Sequence, residues 1–380
     1  MTPPQILISA GEASGEMYAA RLSKALRART GAHLFGLGGP CMREAGVELV
    51  ADSSEVAVVG ISEVLRKIPA LRRTMRRLVE EAARRKPVLA ILTDFPGFHL
   101  RLARRLSWQG VRNVYFICPQ FWAWRPWRVR LVQKRFERAL CIFPFEEEFY
   151  RRAGMSVNFI GHPLVDDVLV RNAPQERAED FVRKYSLGFD AERPIVALLP
   201  GSRPSEISQN WPEMLAACRA LHPRCFFQYV VALAPGIAAA QLAGYPPRDL
   251  PMRAVEGATY EALAAASVAI ISSGTATVEA SLIGTPMVVV YRVSGTTAFL
   301  ARRLVRTPFF AMPNLIAGRR VVPELFQEEF IAERVAEEGG RLLESADARE
   351  AMKRDLAEVR FKLGSGGAIE RAADIIAGML

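Results

Sequence analysis

The sequence predicts an α/β protein made of two successive doubly wound halves, each a parallel sheet flanked by helices. Three observations point there. Short β-branched apolar runs recur along the 380 residues, and continuous apolar strands of that kind belong to parallel sheets buried on both faces. Most of the runs stop in a turn rich in Gly, Ser or Pro that opens a helical pattern. The series closes near Pro163, passes a polar, charged stretch around 171–193, and restarts at Ile195. The boundaries drawn on this basis are 1–170 and 171–364. The last helix, about 365–380, either packs back on the first domain or swaps to a second protomer.

The chain is long enough for two full cores, and half of its residues are hydrophobic. Five scattered cysteines without a C-x-x-C pair read as reduced, buried thiols in a cytosolic setting, with no zinc site. No charged stretch followed by an apolar one opens the chain, so no signal peptide is expected. No apolar run is long enough to span a bilayer. The net charge of +10 is clustered. One group is Arg66, Lys67, Arg72, Arg73, Arg76 and Arg77, a second Arg101, Arg104 and Arg105. A third runs from Arg125 to Arg135 and a fourth is Arg302, Arg303 and Arg306. Each reads as a solvated helix face or as a contact for an anionic partner; the apolar residues among them favour a membrane surface.

The first half opens with a strand at Gln5–Ala10, the turn Gly11-Glu-Ala-Ser-Gly15-Glu16, and a helix from about Met17 to Arg29. This is a Rossmann-like opening, but it is neither G-x-G-x-x-G nor a P-loop. A second strand at His33–Leu37 leads to Gly38-Gly-Pro40. From Gly60 a long basic helical region, interrupted by Pro69, ends near Arg85. Its stripe of Leu65, Ile68, Leu71, Met75 and Leu78 reads either as an ordinary amphipathic face or as a membrane- or acyl-facing one. The strand Val88–Thr93 delivers Asp94 to its carboxyl end, the edge where open α/β sheets bind ligands. Beside Phe95 and Phe98 such an acid has a raised pKa and suits a general base; the alternative is a helix N-cap for Gly97–Ser107. Strands at Val111–Ile117, Arg138–Phe143 and Asn158–Ile160 follow. The Trp-rich loop 118–127 must pack or bind. His162 is a ligand contact or a hydrogen-bonded loop histidine.

In the second half Ile195–Leu199 is a strand ending in Pro200-Gly-Ser-Arg-Pro-Ser-Glu206, where Arg203 is well placed to pair with a diphosphate. A strand at Phe226–Leu233, a Pro-rich loop at Tyr245–Pro251 and a helix at Thr259–Ala266 come next. The stretch Val268–Arg292 then reads strand, turn, helix, turn, strand. Gly274-Thr275 lies where a strand ends and a helix begins, and a helix amino end suits a phosphate. Glu279, one turn in, cannot bind phosphate but suits a ribose diol; a plain βαβ turn with a surface Glu is the other reading. The region 331–380 is mostly helical, with a hinge at 364–367.

With these pieces in hand the chain resembles the lipid-A-disaccharide synthases over nearly its full length. The resemblance rests on SAGEASGE at 9–16, VVGISEVL at 58–65, DFPGF at 94–98, CPQFWAWR at 118–125, FPFEEEFY at 143–150, FIGHPL at 159–164, LLPGSRPSEI at 198–207, SSGTATVEA at 272–280 and PNLIAGR at 313–319. It implies a GT-B fold, two facing Rossmann-like domains with a cleft between them, and inverting transfer without a metal or cofactor. The reaction implied joins UDP-2,3-diacylglucosamine to 2,3-diacylglucosamine 1-phosphate and releases UDP. Carried over by motif, Asp94 is the general base and Arg203 stabilises the leaving diphosphate. Gly274 and Thr275 hold that diphosphate through N–H groups, and Glu279 binds the ribose. Asn314 lines the donor pocket, and Ser14 and Gly15 the floor of the cleft. Gly201, Ser202, Glu206, Ser273 and Ala276 complete the donor set. Two positions depart from the family pattern: Glu16, where Asp is commoner, and His99, where Asn is.

The implied partners are the UDP-sugar donor, the acylated sugar-phosphate acceptor and an anionic membrane surface, with no nucleic acid; a homodimer is left open. The implied location is cytoplasmic, at the inner face of the inner membrane. Two rival readings stand beside this one. A UDP-sugar 2-epimerase shares the fold but needs no basic membrane face. A nucleic-acid or membrane binder without catalysis fits the charge, but no nucleic-acid-binding motif appears.

Overall fold

The computed structural model describes residues 3–56, 61–171, 178–190, 193–225, 227–293 and 307–380. Residues 58–60 of the VVGISEVL motif and the 302–306 arginine cluster lie outside them. The chain divides into two compact units, Met1–Pro163 with Ser365–Leu380, and Leu164–Gly364.

The first unit is built on strands β1 (Gln5–Ala10), β2 (His33–Gly38), β3 (Glu48–Asp52), β4 (Leu89–Thr93), β5 (Arg112–Phe116), β6 (Arg138–Cys141) and β7 (Val157–Phe159). They form one sheet in the order β3-β2-β1-β4-β5-β6-β7, with every pairing parallel. The order reverses between β1 and β4, whose register pairs Ser9 with Leu92 and Ala10 with Thr93. All of β4 is buried, as expected of a strand covered on both faces by crossover helices. The helix Ile61–Arg85 runs through Pro69 without ending. Its stripe belongs to the core: Met75 and Leu78 are buried there, and Leu71 packs against it. The ordinary amphipathic reading therefore holds for that part of the helix.

The helix Ala368–Ala377 packs against the helix Ala13–Thr30 within this unit. Ile369, Ala372, Ala373 and Ile376 are buried. Arg29 meets Asp374 at 2.7 Å and also pairs with Glu370. Arg371 donates to the carbonyl of Ile160 at 2.7 and 2.9 Å.

The second unit carries β8 (Ile195–Leu199), β9 (Gln228–Leu233), β10 (Met252–Glu256), β11 (Val268–Ser272), β12 (Met287–Tyr291) and β13 (Glu324–Phe326). Their order is β10-β9-β8-β11-β12-β13, again parallel throughout. The reversal lies between β8 and β11, the switch point at which doubly wound sheets open a crevice beyond their carboxyl ends. Three strands are absent from the sequence reading, β3, β10 and β13, and each lies at a sheet edge. An edge strand is covered less completely than a central one, so its apolar run is broken: β10, Met-Arg-Ala-Val-Glu, buries Met252 and Val255 and exposes Arg253 and Glu256. The buried-thiol expectation fails at Cys41, which is exposed; Cys118, Cys141 and Cys218 are buried and free.

Candidate active site

At the switch point of the second unit lies a cavity of about 380 Å³. Its wall is the β8 turn, the end of β9, and the β11 turn with the first residues of the helix Thr275–Ile283. Gly201 has φ +136, and a Cβ there would come within 2.7 Å of the Glu206 Cβ, so only glycine lets the turn fold this tightly. Glu206 closes the same turn. Its carboxylate accepts from the Ser202 N–H at 3.0 Å and from the Arg203 guanidinium at 3.3 Å. Both of its oxygens are thus engaged by its own loop, which they tie into the turn that carries Arg203. The Arg203 side chain itself remains two-thirds exposed.

Gly274 caps the Thr275–Ile283 helix with φ +157, and a Cβ there would meet nothing within 4 Å. Among the described residues the N–H groups of Gly274, Thr275 and Ala276 have no acceptor. Such orphan donors at a helix amino end make an anion site. Ser273 is differently used: its N–H goes to Val290 and its hydroxyl to the carbonyl of Phe310. Glu279 lines the cavity one turn further in and accepts from the Tyr260 hydroxyl at 3.2 Å. Donors for an anion and an acceptor for hydroxyls thus share one wall.

Asn314 is not part of that wall. Its side chain is fully buried and spent on the segment that follows its helix, accepting from Val321 and Val322 at 2.7 and 2.9 Å and donating to Val322 at 3.0 Å. Where the sequence reading places it at the donor pocket, the structure shows its side chain bracketing the segment that follows the helix Met312–Ala317.

A residue the sequence reading missed lies beneath the cavity. Asn210 is fully buried and donates to the Pro200 carbonyl and to Ser272 Oγ, both at 3.0 Å. Its oxygen accepts from the Arg292 N–H at 3.1 Å. One amide therefore joins the ends of β8, β11 and β12. The available signal was the polar series Glu206, Asn210 and Glu213 at helical spacing, beside the apolar Ile207, Trp211 and Met214.

In the first unit Asp94 sits at the carboxyl end of β4, beside the switch point. Asp94 and Phe95 both adopt left-handed backbone, φ +50 and +46, a conformation that costs about 1–3 kcal/mol and persists only where the surroundings enforce it. Here the Asp94 carbonyl accepts from Tyr115 Oη at 2.9 Å and from His99 Nδ1 at 2.8 Å. The Phe95 carbonyl accepts from the N–H groups of Phe98 and His99. The Asp94 carboxyl is half-buried, and burial, with Glu12 nearby, pushes its pKa up to about 7. Gly15 packs on Asp94, at a distance a Cβ would fill with ordinary contact, whereas Ser14 is exposed.

The two positions that depart from the family pattern are both internal. Glu16 accepts from the Met42 N–H at 2.8 Å, and His99 bridges Ser9 to Asp94. His162 is buried beside Phe143, and burial holds its pKa down at about 3. In the Trp-rich loop Trp122 packs edge-on against Phe145 and donates to Glu146 at 3.0 Å, while Trp127 is left exposed. Among the described residues there is no group of three or more His, Cys, Asp or Glu able to hold a metal ion, and no helix long and apolar enough to cross a membrane.

Solved structures share this architecture. The glycotransferase of kitacinnamycin matches with a TM-score of 0.63 at 15% identity over 100% of both chains. UDP-GlcNAc 2-epimerase from Neisseria meningitidis matches with 0.66 at 11% identity, over 98% of this chain and 99% of that one. At such identities the likeness concerns the fold, and it defines an α/β protein of the GT-B class. Sequence narrows this further. A lipid-A-disaccharide synthase of Solibacter usitatus is 46% identical over 374 residues, 97% of this chain and 96% of that protein. With residues 6–377 matching the model of the lipid-A-disaccharide synthetases, the chain belongs to that family and is a glycosyltransferase.

Proposed function

We infer that this enzyme transfers a 2,3-diacylglucosamine unit from UDP to the 6-hydroxyl of 2,3-diacylglucosamine 1-phosphate, with inversion, in lipid A assembly. In this reading the first unit handles the acceptor and the second the donor. The acceptor oxygen attacks the anomeric carbon, the new C–O bond forms, and the bond from that carbon to the diphosphate oxygen breaks. The acceptor proton passes to the Asp94 carboxylate, and UDP leaves with its charge met by Arg203 and the Gly274–Ala276 N–H groups. Glu279, oriented by Tyr260, takes the ribose hydroxyls. Glu206 and Asn210 act by holding the loops, and the enzyme works at an anionic membrane surface.

The observation that carries this reading is the cavity wall that combines open N–H donors, Arg203 and Glu279 in a chain of this family. A carboxyl with a pKa near neutrality supports the base assignment, because it is ionised at working pH and still basic enough to take a proton. The test is UDP release from the diacylated donor, in detergent with EDTA, with and without the acceptor phosphate. Release that requires the acceptor and survives EDTA is expected. Release without acceptor would favour hydrolysis or epimerase-like chemistry instead.

A further inference from the structure

Outside the site described above, the first unit carries a second cavity, about 450 Å³, along the outer face of the helix Pro96–Trp108. Its cations are Arg101, Arg104 and Arg105 from that helix and Arg128 and Arg135 from the segment after the Trp-rich loop. Leu100 and Leu131 contribute apolar lining. Trp108 and Trp127 stand at its side, 71% and 59% exposed. Arg104 lies over the Trp108 ring at 4.6 Å and Arg128 over Trp127 at 5.6 Å.

Among the described residues none of these five guanidinium groups pairs with a carboxylate. Arg101 and Arg135 donate to main-chain carbonyls, and Arg128 Nε is buried without an acceptor. Burial, with Arg125 and Arg101 nearby, lowers the pKa of Arg128, and burial with Arg104 nearby lowers that of Arg135. The long helix Ile61–Arg85 is mixed. There Arg76 meets Glu80, Arg77 meets Glu55, and Arg85 meets both Glu48 and Glu81, while Arg72 and Arg73 meet no carboxylate among the described residues. Crowded like charges without counter-ions hold an unmet demand for anions. Large exposed indole rings with arginines stacked on them are the side chains that settle at a bilayer interface, ring among the headgroups and cation on phosphate.

We propose that this arginine–tryptophan groove docks the enzyme on an anionic bilayer, its guanidinium groups taking lipid phosphates while Trp108 and Trp127 enter the headgroup layer. The proposal rests on the membrane part of the reading above and gives it a place, the groove beside the Pro96–Trp108 helix. That helix begins two residues after Asp94, so the docking surface is continuous in sequence with the candidate base.

The test is sedimentation of the full chain with vesicles of phosphatidylcholine alone or mixed with phosphatidylglycerol, with tryptophan fluorescence as a second readout. Wild type is expected to partition to the anionic vesicles only, less at higher salt, with a blue-shifted emission. The exposed triple variant R101Q/R104Q/R105Q should lose about 100-fold in partitioning, and W108A/W127A should lose the blue shift. The control R76Q/R77Q, whose cations already meet Glu80 and Glu55, should bind as wild type. Unchanged thermal melting shows that the variants fold, and R104E alone serves if the triple does not. Equal binding to phosphatidylcholine, wild-type binding by the groove variants, or tighter capture of a single-stranded oligonucleotide than of anionic vesicles would overturn the proposal. Acceptor-dependent UDP release in detergent, measured alongside, separates the two readings. Release without vesicle binding sinks only the groove; vesicle binding without release sinks only the enzymatic assignment.

Discussion

His99 Nδ1 lies 2.8 Å from the main-chain carbonyl oxygen of Asp94, and its Nε2 lies 2.8 Å from Ser9 Oγ. A carbonyl only accepts, so Nδ1 carries the proton and Nε2 accepts from the Ser9 hydroxyl. Burial holds the imidazole pKa down at about 4, so it stays neutral at working pH. The ring clamps the backbone that aims Asp94 rather than exchanging protons itself. His99→Phe should therefore cost about 1–3 kcal/mol, since it strands buried polar groups, and should lower kcat while leaving the donor KM unchanged. His99→Asn, which keeps an N–H donor, should restore most of both. Urea denaturation with steady-state kinetics on the two variants checks this.

Two asparagines of the second unit should part company. Asn210→Ala cuts the ties to Pro200, Ser272 and Arg292, so UDP affinity should fall about tenfold, one lost net hydrogen bond's worth at the site. Asn314→Ala strands the buried N–H groups of Val321 and Val322 and should cost stability, about 1–3 kcal/mol, with UDP affinity unchanged. Calorimetric titration with UDP and thermal melting separate the two. A selective loss of UDP binding in Asn314→Ala would restore it to the donor pocket.

Gly11 owes its identity to Phe95. A Cβ at Gly11 would lie 2.4 Å from the Phe95 ring, which is already stacked on Phe98 and edge-on to His99. Gly11→Ala should destabilise by about 1–3 kcal/mol through overpacking and slow turnover by displacing the Asp94–Phe95 turn. Gly15→Ala, whose new methyl would make only ordinary contacts with Thr93 and Asp94, should melt no lower than wild type. Parallel melts of the two variants decide the point.

The central strands were legible because burial on both faces forces an unbroken apolar run; Gln5–Ala10 and Ile195–Leu199 are found at the bounds read from sequence. Edge strands β3, β10 and β13 lack that constraint and were missed. Asp94, Gly201, Gly274 and Glu279 were readable because they stand at strand ends and helix starts, where local pattern fixes position. Asn210, Tyr115 and the Ser9–His99 pair were not, because their partners lie far off in sequence: Asn210 meets Ser272, and Ser9 meets His99. Asn314 is the complementary case. It lies in the short helix Met312–Ala317, and its amide is consumed within eight residues by Val321 and Val322.

The measurement that bears most directly on the assignment of Asp94 is kcat/KM against pH for wild type and Asp94→Asn, with the UDP affinity of each. A base must be ionised to act, and burial raises this carboxyl from the usual value of about 3.9 to about 7. Wild-type kcat/KM should therefore climb through pH 7 with unit slope and level off above it. Asp94→Asn should lose about 10²–10⁴-fold, lose the ionisation with it, and bind UDP as before. A flat wild-type profile through pH 7, or substantial turnover remaining in Asp94→Asn, would contradict Asp94 as the base.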